Sequence, residues 1–495
     1  MARLFGTDGV RGIAGRELTC ELAMNIGKAC AFVLTKSKKN VKVIIGNDGR
    51  ESATMIVSSL IAGFTSVGVD IMDIGIIPTP AISYLIEKYD MDAGVMVTAS
   101  HNPYEYNGIK IFDSNGYKLP DELEDEIEAC VNNEIKYNNK KIGKLLDSKD
   151  GIDDYIDYLI NTNKYDFSGL NIAIDCANGA SSVTASKLFN KTNCNYHIIN
   201  NNPNGTNINN NCGALHIEKL SKYVLDNKLD GGVAFDGDAD RAIFINELGN
   251  VMDGDYVLAI LGKDLKDNKN LTNNTIVGTI MSNLGFIKFC KNNDINFIAT
   301  KVGDRYVLEE MIVGNFVLGG EQSGHIILKN HAKTGDGQLT AITLFEALKR
   351  SGKKFSELAN IIKKYPQVLI NAKVSNERKN EFYYLFEGKS IFLTVILVIG
   401  CLLFAKEVPK LIEDMLGIKL DGMTLKPIKK FQEQTLFGKQ ITSLGAAGLA
   451  GGAAFAANTY ANKGNIFSGI AGAGSAFARG TVGAFKGQNF GQVFL

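Results

Sequence analysis

Short apolar runs that end in polar turns recur along the first three quarters of this 495-residue chain. Val41, Val43, Ile44 and Ile45 lead into Asn47-Asp48-Gly49-Arg50, and a helix-like run follows from Ser52. Ile172–Asp175 leads to Asn178-Gly179 and a run from Ser181, and Ile276–Ile280 leads to Ser282-Asn283 and a run from Leu284. A brief continuous apolar run reads as a strand buried on both faces, and the polar residue after it reads as a helix cap. Strand, cap and helix, three times over, predict three related α/β units. Their expected bounds are 1–147, 148–253 and 254–367. The asparagine-rich stretch 200–211, with Pro203 and Gly205, reads as a surface connection within the second unit.

Two of the buried runs end in chemistry. Ala93–Val97 delivers Thr98-Ala99-Ser100-His101-Asn102-Pro103, and Asn107-Gly108-Ile109-Lys110 follows. In open α/β sheets ligands bind at the carboxyl ends of the strands. A serine flanked there by an imidazole and an amide, with a lysine ten residues on, suits anionic chemistry. Gly231–Phe235 ends in Asp236-Gly237-Asp238-Ala239-Asp240-Arg241. Carboxylates at alternating positions can turn onto one cation, and an all-oxygen set favours a hard ion such as Mg²⁺ over zinc. A merely solvated acidic turn is the poorer reading, because the three charges repel unless a cation offsets them. The loop lacks the later ligands of an EF-hand. After Phe316-Val317-Leu318, the turn Gly319-Gly320-Glu321-Gln322-Ser323-Gly324-His325 offers a cradle for a polyol. The opening Phe5-Gly6-Thr7-Asp8-Gly9-Val10-Arg11-Gly12 offers Thr7 and Arg11 on what reads as a flexible, phosphate-suited backbone.

Composition narrows the partners. The formal net charge is zero, so no global electrostatic pull on nucleic acid or acidic surfaces is implied, and no basic-aromatic patch reads as a nucleic-acid site. The eight cysteines lie far apart without metal spacing and read as reduced thiols of a cytosolic protein. The start MARLFGTDG has no apolar signal-peptide core.

Taken in order, the motifs FGTDGVRG, TASHNP, DGDADR and GEQSGH make residues 1 to about 373 resemble the α-D-phosphohexomutase superfamily. The nearest likeness within it is to the bacterial phosphoglucosamine mutases, which Thr300–Tyr306 and Lys333–Gly337 also match. The resemblance implies three α/β domains with mixed sheets and a mutase working through phosphorylated Ser100, Mg²⁺ and a sugar bisphosphate activator. Ser100 would pass its phosphoryl group to glucosamine 6-phosphate, and the bisphosphate would reorient and return the other phosphate, giving glucosamine 1-phosphate. It also implies roles for single residues. Asp236, Asp238, Asp240 and a Ser100 phosphate oxygen would hold the metal, and Arg11, Lys110 and Arg241 would line the reacting phosphate. His101 and Asn102 would hold the loop, Lys110 or His325 would move the proton, and Thr7, Glu321 and Ser323 would bind substrate. For His101 and His325 a structural hydrogen-bonding role stands beside the catalytic one. A relative acting on glucose or mannose phosphates is the alternative, as is a membrane-anchored module without catalysis.

Beyond this the pattern changes. The family closes with a fourth domain that grips the non-reacting phosphate. Here residues 368–380 read as a remnant of its start and 381–495 as an unrelated tail, mainly helical or disordered. Residues 391–405 are fifteen uncharged, mostly apolar residues and form a candidate transmembrane helix, which would anchor an otherwise cytoplasmic mutase. Either a gene fusion or an assembly artefact would produce such a join. Loss of the distal grip would remove two or three charge-assisted hydrogen bonds, roughly 10³-fold in kcat/KM.

Overall fold

The computed structural model describes residues 4–6, 9–36, 38–133, 141–162 and 165–367. Thr7, the remnant 368–380 and the tail with its candidate span 391–405 lie outside the described residues. Among the described residues, no helix is long and apolar enough to cross a membrane.

Three mixed sheets follow one another along the chain. The first holds β1 (Val10–Ile13), β2 (Lys42–Asn47), β3 (Asp70–Ile76), β4 (Ala93–Val97), β5 (Tyr106–Phe112) and β6 (Leu145–Leu146), in the order β1-β5-β4-β2-β3-β6. Strands β4, β2, β3 and β6 run parallel, while β5 pairs antiparallel with both β4 and β1. The second sheet holds β7 (Asn171–Asp175), β8 (Asn195–Ile199), β9 (Gly231–Phe235), β10 (Ala242–Asn246) and β11 (Val251–Met252), in the order β11-β10-β9-β7-β8. The third holds β12 (Thr275–Thr279), β13 (Asn296–Thr300), β14 (Leu318–Gly320) and β15 (Ile326–Leu328), in the order β13-β12-β14-β15.

The three expected strand–cap–helix units are present. Helices Ala53–Ser66 and Leu284–Asn292 follow β2 and β12, and Asn283 caps the second through a bond from the Gly285 N–H. After β7 the run from Ser181 is broken into a 3₁₀ turn, Ala180–Val183, and a short helix, Ala185–Asn190. The central strands β4, β9 and β12 are buried at every position, as continuous apolar runs demand. One apolar core runs through all three domains. Its centre is an aromatic group in which Phe345, from the helix Gly337–Ser351, meets Phe167, Phe189 and Phe244 edge-on and packs against Phe355.

Two readings of the sequence need correction. The opening segment is not a flexible loop around Arg11, because Val10–Ile13 pairs with Ile109–Tyr106 as an edge strand. The asparagine-rich stretch is not wholly a surface connection, because Asn209 is buried and bonds into the first domain. In both cases the partner is remote in sequence, so local polarity pointed outward.

Candidate active site

The site forms where the carboxyl ends of β4 and β9 meet. Ser100 lies three residues beyond β4 in the left-handed region, with φ +51°, and is 1% exposed. Its Oγ donates to Asp236 Oδ2 at 2.7 Å and lies 3.3 Å from His101 Nδ1. Asp236 opens the hairpin between β9 and β10, which turns at Ala239 (φ +57°). Its glycine has a steric reason: a Cβ on Gly237 would sit 2.6 Å from the Ser100 carbonyl oxygen. The serine loop and the acidic loop therefore interlock backbone to backbone.

Asp236, Asp238 and Asp240 are all buried, and one oxygen from each lies within 4.8 Å of the others. Asp238 Oδ1 is buried with no hydrogen-bond partner, and Asp240 Oδ1 makes no hydrogen bond but lies 3.7 Å from His325 Nδ1 and 4.0 Å from Arg241 Nε. Lys110 bridges the other side, with Nζ 2.8 Å from Asp238 Oδ2 and 3.2 Å from Asp240 Oδ2. Unsatisfied carboxylate oxygens converging with the Ser100 hydroxyl suit a small hard cation. The charges pull the carboxylates apart. Burial and the neighbouring Asp240 and Asp238 raise the pKa of Asp236 well above the carboxylate range. Burial opposes charge on Asp240 as well, but Lys110, His325 and Arg241 outweigh it and hold that carboxyl well below the range.

The two histidines differ. Burial, then Arg241 and Arg11, push His101 down to about 4, which leaves a neutral ring beside Ser100. Burial also disfavours charge on His325, but Asp240, Asp304 and Glu321 lift its pKa to about 9. The Gly335 N–H donates to His325 Nε2 at 3.0 Å, which needs a lone pair there. That contact selects the tautomer with its proton on Nδ1, facing Asp240, and a second proton enters only if the contact opens.

The polyol turn joins this centre from the third sheet. It links β14 to β15, and the Ala242 N–H donates to Gly324 O while Arg241 and His325 pair as a single bridge. Glu321 accepts from the Gly303 N–H at 3.1 Å and from Ser323 Oγ at 3.3 Å. Ser100, His101, Lys110, Arg241, His325 and the triad thus form one connected group, with Glu321 and Ser323 beside it. Arg11 reaches the group through its effect on His101. Asn102 lines the serine loop, where its carbonyl accepts from Asn209 Nδ2.

Sequence reading missed Thr79, whose Oγ1 donates to Asp238 Oδ2 at 2.6 Å and whose N–H donates to the Asp238 carbonyl. It also missed Asp48 and Arg50, which read as a polar cap, and Asn209. Thr79 stands between two prolines at the start of a helix, a place that signals a turn rather than a site.

The family of phosphoglucomutase/phosphomannomutase alpha/beta/alpha domains matches three stretches: domain I at 2–138, domain II at 153–249 and domain III at 253–365. A phosphoglucosamine mutase of Clostridium botulinum (strain Kyoto / Type A2) is 52% identical over 400 residues, which are 80% of this chain and 89% of that one. The chain belongs to the phosphoglucosamine mutase family. Solved structures share the fold of that family. A phosphoglucomutase/phosphomannomutase family protein from Burkholderia thailandensis has a TM-score of 0.65 at 23% identity, covering 74% of this chain and 80% of its own. Aspergillus fumigatus N-acetylphosphoglucosamine mutase, solved in complex with GlcNAc-6P and magnesium, has a TM-score of 0.52 at 15% identity, covering 80% and 87%.

Proposed function

We propose that this phosphoglucosamine mutase family member interconverts glucosamine 6-phosphate and glucosamine 1-phosphate through phosphorylated Ser100 and a sugar bisphosphate. The observation that carries the reading is the Ser100 hydroxyl held 2.7 Å from Asp236 at the mouth of a buried carboxylate triad. In the forward step a sugar hydroxyl oxygen bonds to phosphorus, the bond from phosphorus to Ser100 Oγ breaks, the sugar hydroxyl proton passes to a base, and Ser100 Oγ takes up a proton to leave as the free hydroxyl. Reorientation brings the second phosphate to Ser100, and the same chemistry in reverse restores the phosphoserine.

Asp236, Asp238, Asp240 and a Ser100 phosphate oxygen would hold Mg²⁺. Bound there, the ion would neutralise charge on the transferring phosphoryl group, the main demand of this reaction. The chain's own groups do the rest. Arg11 and Arg241 face the reacting phosphate, and their effect on His101 supports that placement. Lys110 supplies further positive charge and, with His325, is a candidate for moving the proton. The free Ser100 hydroxyl has two acceptors for its own proton, Asp236 Oδ2 and the neutral His101 ring. Glu321 and Ser323 read the sugar hydroxyls, and Asn102 shapes the loop.

The test pairs labelling with turnover. Wild-type enzyme incubated with phosphate-labelled glucosamine 1,6-bisphosphate takes label on Ser100, and the Ser100→Ala variant takes none. A coupled assay with glucosamine 6-phosphate, Mg²⁺ and a trace of bisphosphate then reports turnover. Label persisting on Ser100→Ala sinks the assignment of Ser100, and glucose or mannose phosphates outrunning glucosamine phosphate would move the substrate.

A further inference from the structure

Ser100 adopts a backbone conformation that side-chain-bearing residues avoid, so something must hold it there. Both of its peptide groups are gripped by buried side chains. Its N–H donates to Thr98 Oγ1 at 2.8 Å, and that hydroxyl donates in turn to Asp48 Oδ2 at 2.7 Å. Its carbonyl accepts from Arg50 Nη2 at 2.9 Å and from Asn209 Nδ2 at 2.9 Å. Arg50 closes the ring, because its Nε donates to Asp48 Oδ2 at 2.9 Å. The remaining guanidinium nitrogen, Nη1, donates to the carbonyls of Pro103 and Tyr106, so one side chain holds three points of the loop. Arg50 is 2% exposed and Asp48 fully buried, which leaves the fork little freedom to move.

We propose that Arg50 is a positioning residue for phosphoryl transfer, its fork fixing the backbone of the Ser100 loop so that Oγ faces the triad. Arg50 does not touch the reacting atoms and acts only through the serine. The inference rests on Ser100 being the phosphoryl carrier. Lysine keeps the charge beside Asp48 but cannot present a planar fork to three carbonyls, so Arg50→Lys separates geometry from charge. A displaced nucleophile loses rate while substrate contacts in the third domain stay intact. Misplacement by about 1 Å costs on the order of 10²-fold.

The experiment measures labelling of Ser100 by glucosamine 1,6-bisphosphate under single-turnover conditions, steady-state kcat and KM, and the urea midpoint. For Arg50→Lys the expected result is a fall on the order of 10²-fold in labelling rate and in kcat, with KM for glucosamine 6-phosphate unchanged. Asn209→Ala removes one donor to the Ser100 carbonyl and leaves the Asp48–Arg50 pair whole. It should lower the labelling rate by roughly tenfold, and it decides the matter if Arg50→Lys does not fold. Folded variants that label at the wild-type rate, or that change only KM, would overturn the proposal. Wild-type protein that takes no label on Ser100 would overturn the phosphoserine reading first, and this inference with it.

Discussion

Replacing Lys110 by methionine asks whether positive charge holds the acidic triad together, because methionine keeps much of the apolar stem and removes the ammonium. Lys110, Asp238 and Asp240 are each more than nine-tenths buried, and Nζ contacts both carboxylates. Two carboxylates separated by the triad's 4.8 Å limit repel by about 3.5 kcal/mol at an effective dielectric of 20. Breaking a buried ion pair by removing one partner costs about 3–5 kcal/mol. The described residues, up to 367, belong to one compact unit. At ~2.1 cal/mol/K per residue, that loss lowers Tm by about 4–7 °C. Millimolar Mg²⁺ should return much of it, since a cation among the carboxylates supplies the missing charge. Differential scanning calorimetry of both proteins, in chelator and in Mg²⁺, reads the effect. The expected pattern is a lower Tm for Lys110→Met in chelator and a larger Mg²⁺ shift than in wild type. A variant that melts like wild type in chelator, or equal Mg²⁺ shifts in the two proteins, would refute the reasoning.

Two further outcomes follow from the loop beside His325. A Cβ at residue 335 would lie 2.5 Å from His325 Cε1 and Nε2, so Gly335→Ala must displace a buried ring, costing about 1–3 kcal/mol. Its kcat should fall while the protein stays folded at 25 °C, and an unchanged kcat would show that the His325 orientation is irrelevant to turnover. Burial lifts the pKa of Asp336 to about 6, against the bonds from the Leu339 N–H and the Tyr155 hydroxyl. The folded state therefore holds this proton more tightly than the unfolded chain, where an aspartate titrates near ~3.9. The stability this gives is complete below about pH 4 and is lost as pH rises through about 6. The stability of wild type relative to Asp336→Asn should decline over that window, read as urea midpoints at stepped pH. A constant difference would show that Asp336 keeps an ordinary pKa.

The sequence by itself determined the periodic and the local features. Continuous apolar runs marked β2, β4, β7, β9 and β12, because a strand covered on both faces favours apolar side chains on both. Three repeats of strand, polar turn and helix gave three α/β domains. Alternating aspartates spaced by small residues announced a converging acidic triad, since residues two apart in a tight turn reach one point. Tertiary structure decided everything that needed a second segment. Asn209 looked like part of a solvated loop until the Ser100 carbonyl, 109 residues away, appeared as its partner. Asp48 and Arg50 looked like a helix cap, and Thr79 drew no reading at all, because nothing in their own neighbourhood shows which buried partners the fold brings to them. The edge strand around Arg11 likewise waited for β5. A buried polar group must find a partner wherever the chain supplies one. Hydrophobic period is written in neighbouring residues, whereas the partners of buried polar groups are set only when distant strands meet.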